Sequence, residues 1–170
     1  MSDDSGVDAL DVALLKALLR SPRAGDLELS REVKVARATV QSRLRRMEQR
    51  GIIRDWSPTV DVAAAGFPVQ AFVTLEIAQG ALDQVRSDLQ QIAEVLSAHV
   101  TTGTHDVVCH VATSSHAELQ EVLVRINQST AVVRSTSVMV LSVLIPERAL
   151  PVLQSHAAPA VRAPAYRQGR

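Results

Sequence analysis

Residues 39–53, TVQSRLRRMEQRGII, carry four arginines and one acid, Glu48, in a chain of 170 residues whose formal net charge is zero. At about 100° per residue, Val40, Leu44 and Met47 fall within a narrow arc and form one apolar stripe. Ala38, Gln41, Ser42, Arg45, Arg46 and Gln49 occupy the broad opposite side, with Thr39, Arg43 and Arg50 on a flank. The spacing predicts a helix over 37–50 that docks through its stripe and stops at Gly51, a residue suited to the position after a helix end.

The segments before it set its context. DALDVALLKALLR, 8–20, repeats Leu10, Leu14, Ala17 and Leu18 at helical intervals, with Asp8 placed to cap the start. Ser21-Pro22-Arg23-Ala24-Gly25 breaks the pattern. Asp26 is the expected cap of a short second helix that runs to about Lys34. Lys34-Val35-Ala36 leaves room only for a tight turn before the basic third helix. Three helices joined in this way predict a helix-turn-helix head that binds DNA.

Charge is segregated in the same sense. Residues 1–33 have a net charge of −3, 34–54 of +6, 55–145 of −6, and 146–170 of +3. A solvated basic helix explains such clustering as well as a polyanion-binding one does, so charge alone leaves both readings open. Hydrophobic residues make up 46% of the chain and charged residues 21%, as in an ordinary globular protein. Aromatics, at 2%, are too scarce to provide stacking platforms for single-stranded nucleic acid. The lone Cys109 forms no intrachain disulfide and fits a reducing compartment. MSDDSGVDAL begins acidic and lacks an apolar core, so no secretory leader is expected, and VMVLSVLI is too short to span a bilayer. The expected location is cytoplasmic.

Residues 55–68 are read as an exit strand, begun by Ile52 and Ile53, and a hinge broken by Pro58, Gly66 and Pro68. Beyond it the pattern alternates. Val69 to Ile77 has a period of two, Gly80 to about Glu94 is helical, and strands are expected at 96–102 and 106–112 around Gly103-Thr104-His105. A helix over 115–126 and a strand over 132–144 complete the order βαββαβ, a ferredoxin-like arrangement. The fold class expected is therefore α+β, with a helix-turn-helix (winged-helix-like) domain over 1–54 and a ferredoxin-like domain over 69–145. Two helices on one sheet face leave the other to be covered, so self-association is expected. The proline- and alanine-rich residues 146–170 predict a disordered tail.

DLELSREVKVARATVQSRLRRMEQRGIIRDWSPTVD and TTGTHD, in this order and around these elements, resemble the Lrp/AsnC (feast/famine) family of transcriptional regulators over about 8–145. TTGTHD looks like the family's G-x-x-D turn. The resemblance implies operator binding by the first domain and dimerisation through the sheet of the second, with further assembly to tetramers or octamers. It also implies an amino-acid effector bound near the G-x-x-D turn. Three positions depart from the family pattern: Lys34 stands where a turn glycine is usual, Ala36 replaces the common serine cap, and STAVVRST lacks a glycine before the last strand. The first asks lysine to take a left-handed conformation, and the second costs about 0.5–2 kcal/mol of capping.

The chemistry assigns candidates at both ends of the chain. Arg37, Thr39, Gln41 and Ser42, at the start of the recognition helix, are placed to meet base edges, where arginine bridges guanine and glutamine bridges adenine. Arg43, Arg45 and Arg46 lie further along and suit phosphates. For Arg43 the alternative is a salt bridge to an acid of the second helix, such as Glu32. A dimer would present two such helices to a pseudo-palindromic duplex. For the effector, Gly103, Thr104, His105 and Asp106 form the turn, Gly103 allowing main-chain N–H groups to face a carboxylate and Asp106 able to accept from an ammonium group. Thr136, Val138 and Val140 share one face of the last strand and match pocket-lining positions of the family. The alternative is a plain hairpin turn that Asp106 caps.

His99, His105, Asp106, Cys109 and His110 lack tight metal-ligand spacing, and alternation sets Cys109 and His110 on opposite faces, so no metal or cofactor is expected. Ser114-Ser115-His116 reads as a helix cap, not a nucleophile and base. Two other functions remain in view: an enzyme, since some haem-pathway decarboxylases resemble this family, and an amino-acid-binding assembly module with vestigial DNA contacts.

Overall fold

The computed structural model describes residues 6–159, which fall into two compact units. One comprises the chain up to Ser57 together with the residues from Pro146 onward, the other Pro58 to Ile145.

In the first unit, α1 (Ala9–Arg20) starts at Asp8, whose Oδ1 accepts from the backbone N–H groups of Leu10 (2.9 Å) and Asp11 (3.0 Å). Asp11 Oδ2 reciprocates by accepting from the Asp8 N–H, closing a capping box. The second helix, α2 (Asp26–Val33), is capped by Gly25 instead of the expected Asp26. Asp26 is its first helical residue, where a carboxylate favours the positive end of the helix dipole. The third helix, α3 (Arg37–Gln49), closes in a Schellman arrangement, with the N–H of Gly51 donating to the Glu48 carbonyl and that of Ile52 to the Met47 carbonyl. Gly51 takes the left-handed φ of 66° that this ending requires. Leu10, Leu14, Ala17, Leu29, Val35, Val40, Leu44 and Met47 form one buried core, so the stripe on α3 does dock the helix.

Both departures in the turn are visible. Lys34 has φ 58° and ψ 43°, and Ala36 offers no side-chain cap to α3. A left-handed non-glycine residue costs about 1–2 kcal/mol. Lys34→Gly and Ala36→Ser, combined, are therefore expected to raise the stability of this unit by about 1–2 kcal/mol. Thermal melting followed by circular dichroism checks this.

The exit strand expected before the hinge does not form: among the described residues, 52–68 hold no strand. The N–H groups of Ile52 and Ile53 are spent on the Met47 carbonyl, and Pro58 has no donor to offer a ladder. Asp61 instead nucleates a turn by accepting from Ala63 and Ala64.

In the second unit the elements are β1 (Val69–Ile77), α4 (Leu82–Gln90), β2 (Val95–Val100), β3 (Val107–Thr113), α5 (His116–Asn127) and β4 (Val132–Met139). They build one antiparallel sheet of order β2-β3-β1-β4, the ferredoxin-like arrangement. Ala71, Val73 and Leu75 of β1, with Val107, Cys109 and Val111 of β3, join Val85, Leu89, Leu119, Val122 and Ile126 of the helices in the core. The alternate residues line the open face, where Phe72 pairs with His110 on one side and Val138 on the other. β4 stops at Met139, short of the expected Leu144. β1 begins at Val69, and the last link is Val140 N–H to the Gln70 carbonyl, beyond which no strand remains to pair with.

The expected disorder of 146–170 is corrected for its first part. Leu150–His156 form α6, which lies against α1 in the first unit. Leu150, Leu153 and Ala157, at helical spacing, are its half-buried residues. Pro151 masks this periodicity in the sequence, yet it sits in the first turn, where its missing donor costs nothing. The remaining tail residues, 160–170, lie outside the described ones.

Candidate nucleic-acid interface and effector turn

The recognition surface is α3, and its arginines divide by partner. Arg43 reaches across to α1, where it bonds Asp8 Oδ2 and, at 3.2 Å, Asp11 Oδ1. Arg46 bonds Asp11 Oδ2 at 2.5 Å. The Asp11 side chain is fully buried and that of Arg43 only 14% exposed, so this cluster fixes α3 to α1. Burial alone would raise the Asp8 carboxyl, but hydrogen bonds from the Asp11 N–H and Arg43 outweigh it and hold it below its ordinary value. The salt bridge considered for Arg43 therefore exists with different acids; Glu32 pairs with Arg20. The expectation that Arg43 faces phosphate is corrected: its guanidinium is turned into the unit.

The outward face is different. Arg37, Ala38, Gln41, Ser42, Arg45 and Gln49 are exposed, and Thr39 is half-buried on the flank. Arg45 has no ion pair among the described residues. Gln41 Nε2 donates to Asp26 Oδ2 at 2.7 Å, and Arg37 Nε lies 4.0 Å from the same oxygen. Such exposed pairs are worth at most about 1 kcal/mol, so they can be exchanged for base edges or phosphates. Trp56 Nε1 donates to Glu48 Oε1 at 2.6 Å, engaging the helix's one acid. The sequence offers no sign of this contact beyond the presence of both residues.

At the other site, Gly103 has φ 112°, a conformation closed to L side chains. Thr101 Oγ1 donates to the His105 carbonyl at 2.8 Å, and the Thr101 N–H to the Asp106 carbonyl at 2.8 Å. Thr104 Oγ1 and His105 Nδ1 are 3.0 Å apart. Asp106 Oδ2 accepts from the Ile77 N–H at 2.9 Å, where the β1–β4 register shifts. Asp106 thus ties the turn to the end of β1, and its other oxygen has no hydrogen bond among the described residues. Thr136 pairs with Thr74 near the same end of the sheet, whereas Val138 and Val140 run away from it along the open face. The seven candidates are therefore not gathered into one pocket within this chain.

On that open face Phe72 stacks on His110 with centroids 4.7 Å apart, and His110 Nε2 lies 3.0 Å from Gln70 Oε1. Burial holds the His110 pKa below its ordinary value. Cys109 points the opposite way, as alternation predicts, and burial raises its thiol to about 11, leaving it unreactive at neutral pH. Ser115 caps α5 by accepting from the Glu118 N–H, while Ser114 donates to Glu118 Oε2, so the Ser-Ser-His stretch is a cap.

Comparison with known proteins accounts for both units. Residues 7–48 match the AsnC-type helix-turn-helix domain, and 70–150 match the Lrp/AsnC ligand binding domain. The HTH-type transcriptional regulator Rv2324 of Mycobacterium tuberculosis is 35% identical over 141 residues, covering 82% of this chain and 95% of that protein. The chain belongs to the Lrp/AsnC family of transcriptional regulators. Among solved structures, Escherichia coli AsnC superposes with a TM-score of 0.79 at 26% identity, covering 85% of this chain and 99% of that one. The M. tuberculosis feast or famine regulatory protein Rv3291c, solved with L-methionine, gives 0.74 at 29% identity, covering 84% and 97%. The Lrp/AsnC helix-turn-helix match takes in Asp8, Asp11 and α3 up to Glu48. The Lrp/AsnC ligand-binding match ends as α6 begins. No described helix is long and apolar enough to cross a membrane.

Proposed function

We propose that this regulator works in the cytoplasm as a homodimer that presents two α3 helices to a pseudo-palindromic duplex and answers to an amino-acid effector. The observation that carries the reading is the division of α3: an inward cluster clamps the helix, and an outward polar face is left for DNA. Arg37, Thr39, Gln41 and Ser42 then read base edges, and Arg45 grips phosphate, with Arg46 beside it on the flank. The dimer forms through the open sheet face, where Phe72 and Val138 are 46% and 61% exposed, and dimers assemble further into tetramers or octamers. The effector lies against Gly103, Thr104, His105 and Asp106, with Thr136, Val138 and Val140 lining the pocket that assembly completes. The unused oxygen of Asp106 suits an α-ammonium group, and the methionine bound to Rv3291c supports an amino acid as the ligand class. The enzyme reading has no support in the named relatives, which are regulators.

A thermal-shift screen of the twenty amino acids tests the effector. One or a few are expected to raise the melting temperature, and Asp106→Ala to abolish the shift; a flat screen would remove the amino-acid assignment.

A further inference from the structure

The Lrp/AsnC match ends at residue 150, yet the chain continues for twenty residues, and the structure ties the first of these to the DNA-binding unit. α6 lies against α1. After it, the Ala158 carbonyl accepts from the Ala9 N–H at 2.8 Å, and Asp8 and Ala158 form a parallel bridge. Asp8 is the same residue that caps α1 and grips Arg43 of the recognition helix. The chain therefore leaves its last described position, Pro159, next in sequence to the residue bridged to that clamp.

The final stretch of the sequence, AVRAPAYRQGR at 160–170, contains Arg162, Arg167 and Arg170 and no acid. Eleven residues span at most about 36–40 Å, roughly one turn of duplex. The anchor itself is neutral: Leu150 and Leu153 dock apolar atoms, and the bridge is backbone to backbone. It fixes the origin of the segment without using its arginines. A guanidinium meets phosphate oxygens with paired donors, and such contacts need no particular sequence.

We infer that Arg162, Arg167 and Arg170 bind the phosphate backbone of the duplex beside the site read by α3, delivered there by the docking of α6 on α1. The inference rests on the proposal that α3 binds DNA, and it assigns to residues 160–170 a share of the affinity but none of the base reading. Each engaged phosphate should add about 0.9 to the steepness of log Kobs against log salt. For three arginines that is about 2.7, so binding should weaken about 40-fold more between 50 and 200 mM salt with them than without.

The test compares the full chain, Arg162→Gln/Arg167→Gln/Arg170→Gln, and a chain ending at Pro159, each titrated onto one mixed-sequence duplex across that salt range. Melting curves are recorded for all three, since both variants keep α6 and the Ala9–Ala158 bond. The expected result is a shallower salt slope for both variants with unchanged melting. An unchanged slope overturns the inference while leaving the α3 assignment intact. Tighter binding by the variants also overturns it, because the arginines would then be pairing with the chain's own acids. If the full chain fails to bind any duplex, both the inference and the DNA-binding proposal fall.

Discussion

Asp11→Ala should cost the helix-turn-helix unit about 3–5 kcal/mol, the range for removing one partner of a buried ion cluster. The side chain of Asp11 is fully buried, and its two oxygens serve Arg43 and Arg46 while Oδ2 also accepts from the Asp8 N–H. Alanine would leave Arg43 with Asp8 alone, bring two guanidinium groups together with less compensation, and open the capping box of α1. The unit has a small core, so most of its stability should go, and α3 would lose the orientation that DNA binding needs. Chemical denaturation followed by amide exchange in α1 and α3 reads this out; a loss under about 1 kcal/mol contradicts a clamping role. Acid should attack the same cluster. Because the Asp8 carboxyl is held below its ordinary value in the folded unit, its contribution is present above the ordinary carboxylate range and is lost as the pH falls through the lowered value.

Phe72→Asp should convert the dimer into monomers. Phe72 sits in the middle of the open sheet face, stacked on His110 and opposite Val138, with 46% of its surface exposed in the single chain. A carboxylate there would be buried against apolar atoms of the second copy with no cation among its sheet neighbours Val138 and His110, the latter held neutral by burial. Loss of an aromatic anchor costs at least about 2 kcal/mol, so the dimer dissociation constant should rise by about 30-fold or more. Sedimentation velocity at micromolar concentration distinguishes the species; an unshifted dimer would place the interface elsewhere. The side chain points away from the core that β1 shares with α4 and α5, so the fold of the unit should survive.

Much of this architecture is legible along the chain because its signals are local. The stripe Val40-Leu44-Met47, the cap at Asp8, the stop at Gly51 and the strand alternation of Val69–Ile77 involve residues within a few positions of one another. The left-handed Lys34 is readable from the missing glycine. Which distant charges meet is not legible in this way. Arg43 and Asp11 are 32 positions apart, and nothing in the helical angle of Arg43 distinguishes Asp11 from Glu32 as its partner. That one contact moves Arg43 from the DNA surface to the clamp and leaves Arg45 as the exposed arginine of mid-helix. The exit strand fails for a related reason: a strand needs a partner backbone, which alternation within 52–68 does not reveal. At the effector turn, Gly103 is readable from residue type, but the bond from Ile77 to Asp106 depends on the β1–β3 register.

Whether the outward face of α3 holds DNA while its inward arginines hold α3 is tested most directly by equilibrium binding to the chain's own upstream region. The titration runs across salt for the parent chain and for Arg45→Ala/Gln41→Ala. Salt-dependent binding is expected of the parent. For the variant we expect a loss of about 10-fold or more in affinity and a salt slope shallower by about one unit per chain, with melting unchanged. Tight binding that ignores salt and survives both substitutions would contradict this division of α3.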